Sequence, residues 1–179
     1  VAGYELLWQG RAGADLGAAW QLPAGAGGAG GAGGASGPRQ ALVGNPAAKF
    51  GYLRLVQFEG LPQVQVRSSA RPFDTGGIFN VNMLVRDIDA SFAALRAAGF
   101  QGYADPSRYE LFGRPYAGAM LRGHDGVVLN LLSRLDRGYE DMPTFKAMSH
   151  VLNATQMVAD FEASRDFFER QLGWHKRWE

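Results

Sequence analysis

Few residues of this chain carry side chains suited to catalysis, and their spacing matches no standard site. The histidines are His124, His150 and His175, and no two are spaced to hold a metal ion from one helix or strand. There is no cysteine, which excludes thiolate metal sites, cysteine nucleophiles and disulfide scaffolds. We therefore interpret all three histidines as surface or structural residues.

One glycine motif has the spacing of a dinucleotide-binding turn. Gly25, Gly27 and Gly30 match G-x-G-x-x-G inside residues 24–38, a run of almost only glycine and alanine. The motif binds a nucleotide when a strand leads into it and a helix leaves it. Neither pattern is present, so we interpret the run as a flexible loop.

The composition is that of a globular protein without the charge clusters that bind nucleic acid or anionic membranes. Hydrophobic residues make up 46% of the 179 positions, and the net charge is +1 without a block of like charges. Nucleic acids and anionic membranes require clustered Lys and Arg, so we expect neither as a partner. No apolar run reaches the length of a membrane span. Together with the absence of cysteine and of a signal-peptide pattern, this favours the cytoplasm.

The strongest pattern covers residues 79–100 and predicts a strand that runs into a helix. Alternation divides the strand into one face of Val81, Met83 and Val85 and another of Asn80, Asn82 and Leu84. Asp87 is suited to cap the helix N-terminus, and Gly99 to end it in a left-handed conformation. An apolar stripe on the helix is formed by Ile88, Phe92 and Leu95.

The same pattern returns in residues 153–174. Asp160 repeats Asp87, and Gly173 repeats Gly99, with an offset of 73 residues at the start and 74 at the end. Such a self-match indicates a repeated supersecondary unit. Core positions are expected for the aromatic residues of this copy, which are Phe161, Phe167, Phe168 and Trp174.

Three further strands are predicted after the first helix, over residues 109–112, 116–122 and 127–132, with turns at glycines between them. Residues 76–134 thus form a complete βαβββ unit. Earlier strands at 39–43 and 51–58 match its closing hairpin, with Gly51 placed 75 residues before Gly126.

We interpret residues 1–60 as the closing part of a first unit and residues 147–179 as the opening of a third. Residues 136–146 are then a charged linker. Because the first unit lacks its front and the third its end, we expect a chain truncated at both ends. Its two incomplete parts are hypothesised to close as one unit in permuted order; the alternative is that residues 148–179 begin a separate second domain.

The repeat resembles the vicinal oxygen chelate superfamily, which includes glyoxalases, bleomycin-resistance proteins and extradiol dioxygenases. The likeness rests on VRDIDASFAALRAAGF, its copy VADFEASRDFFERQLGW, and the closing strand GHDGVVLNLLSR. It implies an α+β fold in which repeated βαβββ units form a curved mixed sheet around a concave site. In metal-dependent members, a His on a unit's first strand and a Glu on its last hold a divalent ion.

The resemblance assigns polar residues, but no strong metal ligands, to these positions. Asn80 and Asn153 take the histidine place in their units, while Asn130 and Arg54 take the glutamate place. A neutral amide binds Zn, Fe or Mn poorly, and a guanidinium repels a cation. These four residues are the candidate ligand-binding set. For Asn80 and Asn130, a polar floor for an organic ligand and an ordinary polar sheet surface both stay open, while Arg54 favours the ligand.

The resemblance and the residues at the metal positions leave two candidate functions. The first is a glyoxalase- or bleomycin-resistance-like protein that binds a small organic molecule in the sheet concavity without a metal or other cofactor in the visible units. The alternative is a metal-dependent lyase or dioxygenase whose divalent metal is held by missing sequence. The pattern does not decide between catalysis and binding. The expected partner is a small-molecule ligand, and a homodimer stays open.

Overall fold

A computed structural model of the chain describes residues 3–21, 37–65, 67, 71–142 and 145–175. Its elements in chain order are β1 (Glu5–Arg11), α1 (Ala14–Ala19), β2 (Arg39–Gly44), β3 (Leu53–Gln57), β4 (Ile78–Leu84), α2 (Ile88–Ala97), β5 (Gln101–Gly102), β6 (Ser107–Leu111), β7 (Arg114–Arg122), β8 (Val128–Arg134), β9 (Asn153–Gln156) and α3 (Phe161–Asp166). A 3₁₀ turn, His124–Gly126, joins β7 to β8, and a π-helical turn, Phe167–Gln171, follows α3. The proposed glycine-rich loop and its nucleotide motif lie largely outside the described residues.

The strands form two sheets. One has the order β1-β2-β3, and the other, six-stranded, has the order β5-β7-β8-β4-β9 with β6 beside β7. Strand β4 pairs in parallel with β8 and antiparallel with β9. This combination of helices with curved sheets of mixed strand direction confirms the predicted α+β class. In the described part of the chain, no helix is both long and apolar enough to cross a membrane.

The core lies between α2 and one face of the six-stranded sheet. Met83, Leu121 and Leu131 are almost fully buried there, and Val81 packs at the edge of the same cluster. The alternation predicted for β4 is therefore confirmed. The predicted helix limits are confirmed as well, since Asp87 accepts a hydrogen bond from the Ala90 amide at 2.9 Å and Gly99 has a φ of +93°.

The second strand and helix follow the same local rules. Asp160 accepts from the Ala163 amide at 2.9 Å, and Gly173 has a φ of +67°. The repeat offset grows by one residue within this helix because the π-helical turn Phe167–Gln171 takes up an additional residue. Its Leu172 amide donates to the Phe167 carbonyl five positions back, at 3.3 Å.

The core positions expected for the aromatics of this second copy are mostly wrong. Phe161, Phe167 and Trp174 are 67%, 52% and 62% exposed, and only Phe168 is partly covered, by Trp174. Apolar periodicity predicts which side of a helix is apolar, but it does not supply the sheet that would cover it.

The two sheets meet at residues 149–151. The Val151 amide donates to the Gly51 carbonyl at 3.2 Å, and the Tyr4 hydroxyl donates to the Ser149 carbonyl at 3.1 Å. The Phe50 and His150 rings stack edge to face, 4.5 Å apart. Strands β3 and β9 nevertheless remain in separate sheets.

The segment predicted to be only a charged linker, residues 136–146, contains part of a second core. Tyr139 and Phe145 are buried against Leu84, on the sheet face opposite α2. The Tyr139 hydroxyl accepts from the Arg134 amide at 2.8 Å and donates to the Val85 carbonyl at 2.7 Å. These contacts hold the segment across one end of that face.

Candidate functional site

A row of polar side chains crosses three strands on the face of the six-stranded sheet that α2 leaves open. Asn82 of β4 lies opposite Asn130 of β8 and also opposite Asn153 of β9. Directly opposed residues project from the same face of a sheet. We call these three residues, together with Thr155, the asparagine row.

The side chains of the asparagine row are hydrogen-bonded to one another. The Asn130 amide nitrogen donates to the Asn82 carbonyl oxygen at 2.7 Å. The Asn82 amide nitrogen donates to the Asn153 carbonyl oxygen and, at 3.1 Å, to the Thr155 hydroxyl. Both hydrogens of the Asn82 amide are thus used, which fixes the orientation of this largely buried side chain.

The two ends of the asparagine row keep groups of opposite kind that have no hydrogen-bond partner among the described residues. Because the amides are joined head to tail, Asn130 retains a carbonyl oxygen and Asn153 retains an amide nitrogen. Asn130 is half-buried and Asn153 is exposed, so a small molecule can approach both groups. The row can therefore bind an acceptor and a donor at once.

Asn80 lies on the same face, two positions before Asn82, between Val128 and Thr155. It is only 3% exposed, and its side-chain oxygen accepts no hydrogen bond within the described chain. A buried acceptor without a donor costs roughly 1–3 kcal/mol. This oxygen is thus a place where a donor from outside the described chain would stabilise the fold.

One side of the asparagine row is apolar. Leu132 and Leu84 form the next cross-strand row, and residues Tyr139 and Phe145 cover them. Gly118 continues this row on β7, where a Cβ would lie 2.4 Å from the Tyr109 hydroxyl, so the tyrosine ring lies directly over the glycine. Burial raises the pKa of Tyr109, which keeps the phenol neutral.

Arg54 is not part of this arrangement. It lies in β3 of the three-stranded sheet, donates from Nε to the side-chain oxygen Oε1 of Gln40 at 2.7 Å, and stacks on Trp20 with 5.2 Å to the ring centroid. Counted from the shared glycine, it corresponds to Leu129, which faces α2 in the complete unit. The prediction that Arg54 shares a concavity with the asparagines is therefore wrong. The prediction of a permuted pocket that joins Arg54 to Asn153 is wrong as well, because β3 and β9 lie in different sheets.

The structure thus joins Asn130 to Asn153, places Asn80 beside them, and separates Arg54 from them. Sequence reasoning missed Asn82 and Thr155. The alternation of β4 already placed Asn82 on the open face with Asn80. Only the pairing of β4 with both β8 and β9 reveals that Asn82 links the other two.

The donors of the asparagine row do not fit a divalent metal ion. They are neutral amides and a hydroxyl, whereas Zn, Fe and Mn need imidazole or carboxylate ligands. Across the described ranges, no three His, Asp or Glu side chains come close enough to hold a metal. We derive no metal-dependent step for these residues.

Two clefts are found away from the row. One of 310 Å³ lies beside α2 at Phe92 and Arg96, and one of 380 Å³ lies at the β7–β8 turn around Arg122 and His124.

No protein-family model matches the sequence, and no curated protein matches it. Among solved structures, the chain is similar to a glyoxalase family protein from Bacillus cereus, known from a crystal structure. The TM-score is 0.57 at 21% sequence identity, over 74% of this chain and 79% of that one. The chain therefore has a glyoxalase-like fold, the fold that its sequence pattern predicted.

Proposed function

We propose that the protein binds a small, neutral organic molecule on the open face of the six-stranded sheet, at the asparagine row. The observation that carries the proposal is the pair of unmatched amide groups at Asn130 and Asn153, held in place through Asn82. In the superfamily, this face of the curved sheet is where a ligand is expected.

The donor set indicates the chemistry of the ligand. The row itself carries no charged side chain, so a neutral molecule with a donor and an acceptor a few ångströms apart matches it best. The partly buried Leu132 side chain adjoins the row and favours a ligand with an apolar part. Small α-hydroxy amides and α-hydroxy ketones combine these features.

The proposal is tested by titrating such hydroxy amides and ketones into ¹⁵N-labelled protein and following backbone and side-chain amide shifts. We expect shifts at the amides of Asn130 and Asn153. Asn130→Leu and Asn153→Leu should each weaken binding about 3- to 10-fold, because each removes a hydrogen bond worth roughly 0.5–1.5 kcal/mol.

Gln156→Leu is the matched control, since Gln156 is exposed on the same strand as Asn153 but alternates to its other side. It should leave the affinity unchanged. If neither asparagine variant weakens binding, or if Gln156→Leu weakens it equally, the asparagine row is not the site.

A further inference from the structure

The 380 Å³ cleft at the β7–β8 turn is built around a cation. It is lined by Gln65, Gly99, Gln101, Arg122, Gly123, His124, Asp125 and Gly126. The hydrogen-bonding side chains are two carboxamides, a guanidinium and an imidazole, with Asp125 as the single acid. Apart from glycine, the lining is entirely polar.

Arg122 is a half-buried residue of this cleft and has no carboxylate partner among the residues that the structure describes. None of the ion pairs formed within the described chain includes it. Its head lies over Gly126, where an added Cβ would meet the guanidinium at 3.8 Å. A charge removed in part from water without a counter-charge is unfavourable, so an anion would stabilise it.

Neighbouring side chains are placed to assist. Gln101 is the direct cross-strand partner of Arg122, so both side chains project from the same face. His124 lies over Gly99: its ring nitrogen Nε2 is 3.7 Å from the position that a Cβ on Gly99 would take. It also stacks edge-on to Phe100 at 6.3 Å. The cleft therefore presents a fixed cation with an amide donor beside it.

The internal repeat shows that the fold does not require this cation. Gly51 and Gly126 occupy equivalent turn positions, and both have a φ of +77°. Because Val43 pairs with Leu53 as Arg122 pairs with Val128, the place of Arg122 is taken by Val43 in that other hairpin. The glycine is thus needed for the turn in both copies, whereas Arg122 belongs to one copy only.

From this arrangement we propose that the β7–β8 cleft binds a small organic carboxylate, which Arg122 holds with its two-pronged guanidinium while the Gln101 amide donates a further hydrogen bond. The site is separate from the asparagine row, because the buried side chain of Val128 lies between Arg122 and Asn80 in the sheet. The proposal therefore does not depend on the function proposed for that row.

The test uses the full chain and glycolate as the probe, followed by ¹⁵N shifts of the Arg122 Nε and of the Gly123 and Gly126 amides. We expect saturable shifts at millimolar glycolate. Arg122→Ala, which removes the guanidinium, should weaken binding about 10- to 100-fold, as expected for a charged hydrogen bond. Asp125→Asn should tighten binding, because it removes the acid nearest the ligand.

Arg108→Ala is the control for net charge, since Arg108 is exposed on β6 in the same sheet. It should leave binding unchanged. Arg122→Lys keeps the charge without the planar fork, and should bind glycolate more weakly than the unsubstituted chain while giving a native spectrum. The proposal is overturned if Arg122→Lys binds as tightly as the unsubstituted chain, or if Arg108→Ala weakens binding as much as Arg122→Ala. Tighter binding of inorganic phosphate than of glycolate would overturn the carboxylate assignment.

Discussion

Asn82→Ala is expected to lower the free energy of unfolding by about 2–3 kcal/mol. The substitution removes the hydrogen bonds of Asn82 to Asn130, Asn153 and Thr155. Each is worth roughly 0.5–1.5 kcal/mol net. The contribution of Asn153 is the smallest, because this residue is exposed and water replaces the lost donor. Urea unfolding measures the change, with an unchanged m-value if the compactness of the two states is preserved.

A companion variant, Asn82→Asp, separates hydrogen bonding from packing because it keeps the shape of the side chain. A carboxylate still accepts from Asn130, but it no longer donates to Asn153 or Thr155. Its buried position raises the pKa above the ordinary value of about 3.9. The folded state then binds the proton more tightly than the unfolded state, so stability is highest at low pH and falls as the pH rises through the folded-state pKa.

Two results would refute this reasoning. One is a loss below about 0.5 kcal/mol for Asn82→Ala, since the row would then contribute less than a single hydrogen bond. The other is an Asn82→Asp variant whose stability rises with pH over the same interval. Gln156→Ala, an exposed change on β9, serves as the control and should be nearly neutral.

Three further predictions concern the core and the junction between the sheets. Leu131→Ala should cost about 2–5 kcal/mol in urea unfolding because the side chain is fully buried, and Leu95→Ala should cost less because it is half-buried. Tyr139→Phe should cost about 1–3 kcal/mol, since it leaves the buried Val85 carbonyl without its donor. Burial lowers the pKa of His150 below 6.5. As the pH falls, the unfolded state therefore binds a proton at His150 before the folded state does, so the free energy of unfolding should decrease below that pH. His150→Gln should remove this pH dependence.

Local rules explain why some elements could be predicted. Strand alternation alone places Met83 toward the core and Asn82 on the opposite face, because successive side chains of a strand point in opposite directions. The caps Asp87 and Asp160 satisfy amides only three residues away, so a short stretch of sequence is sufficient to identify them. The repeat of these signals was sufficient to predict the glyoxalase-like fold from the sequence.

Long-range contacts account for what the sequence left undecided. Asn130 and Asn153 are far from Asn82 along the chain, and only the choice of β8 and β9 as neighbours of β4 brings the three amides together. The burial of Tyr139 in a charged segment likewise depends on the sheet face that the segment crosses. Sequence determined which face of each element is polar, because that is set by backbone geometry over a few residues. Tertiary structure decided which polar faces meet and that Arg54 lies in another sheet, because strand order depends on packing between segments that carry no local record of their partners.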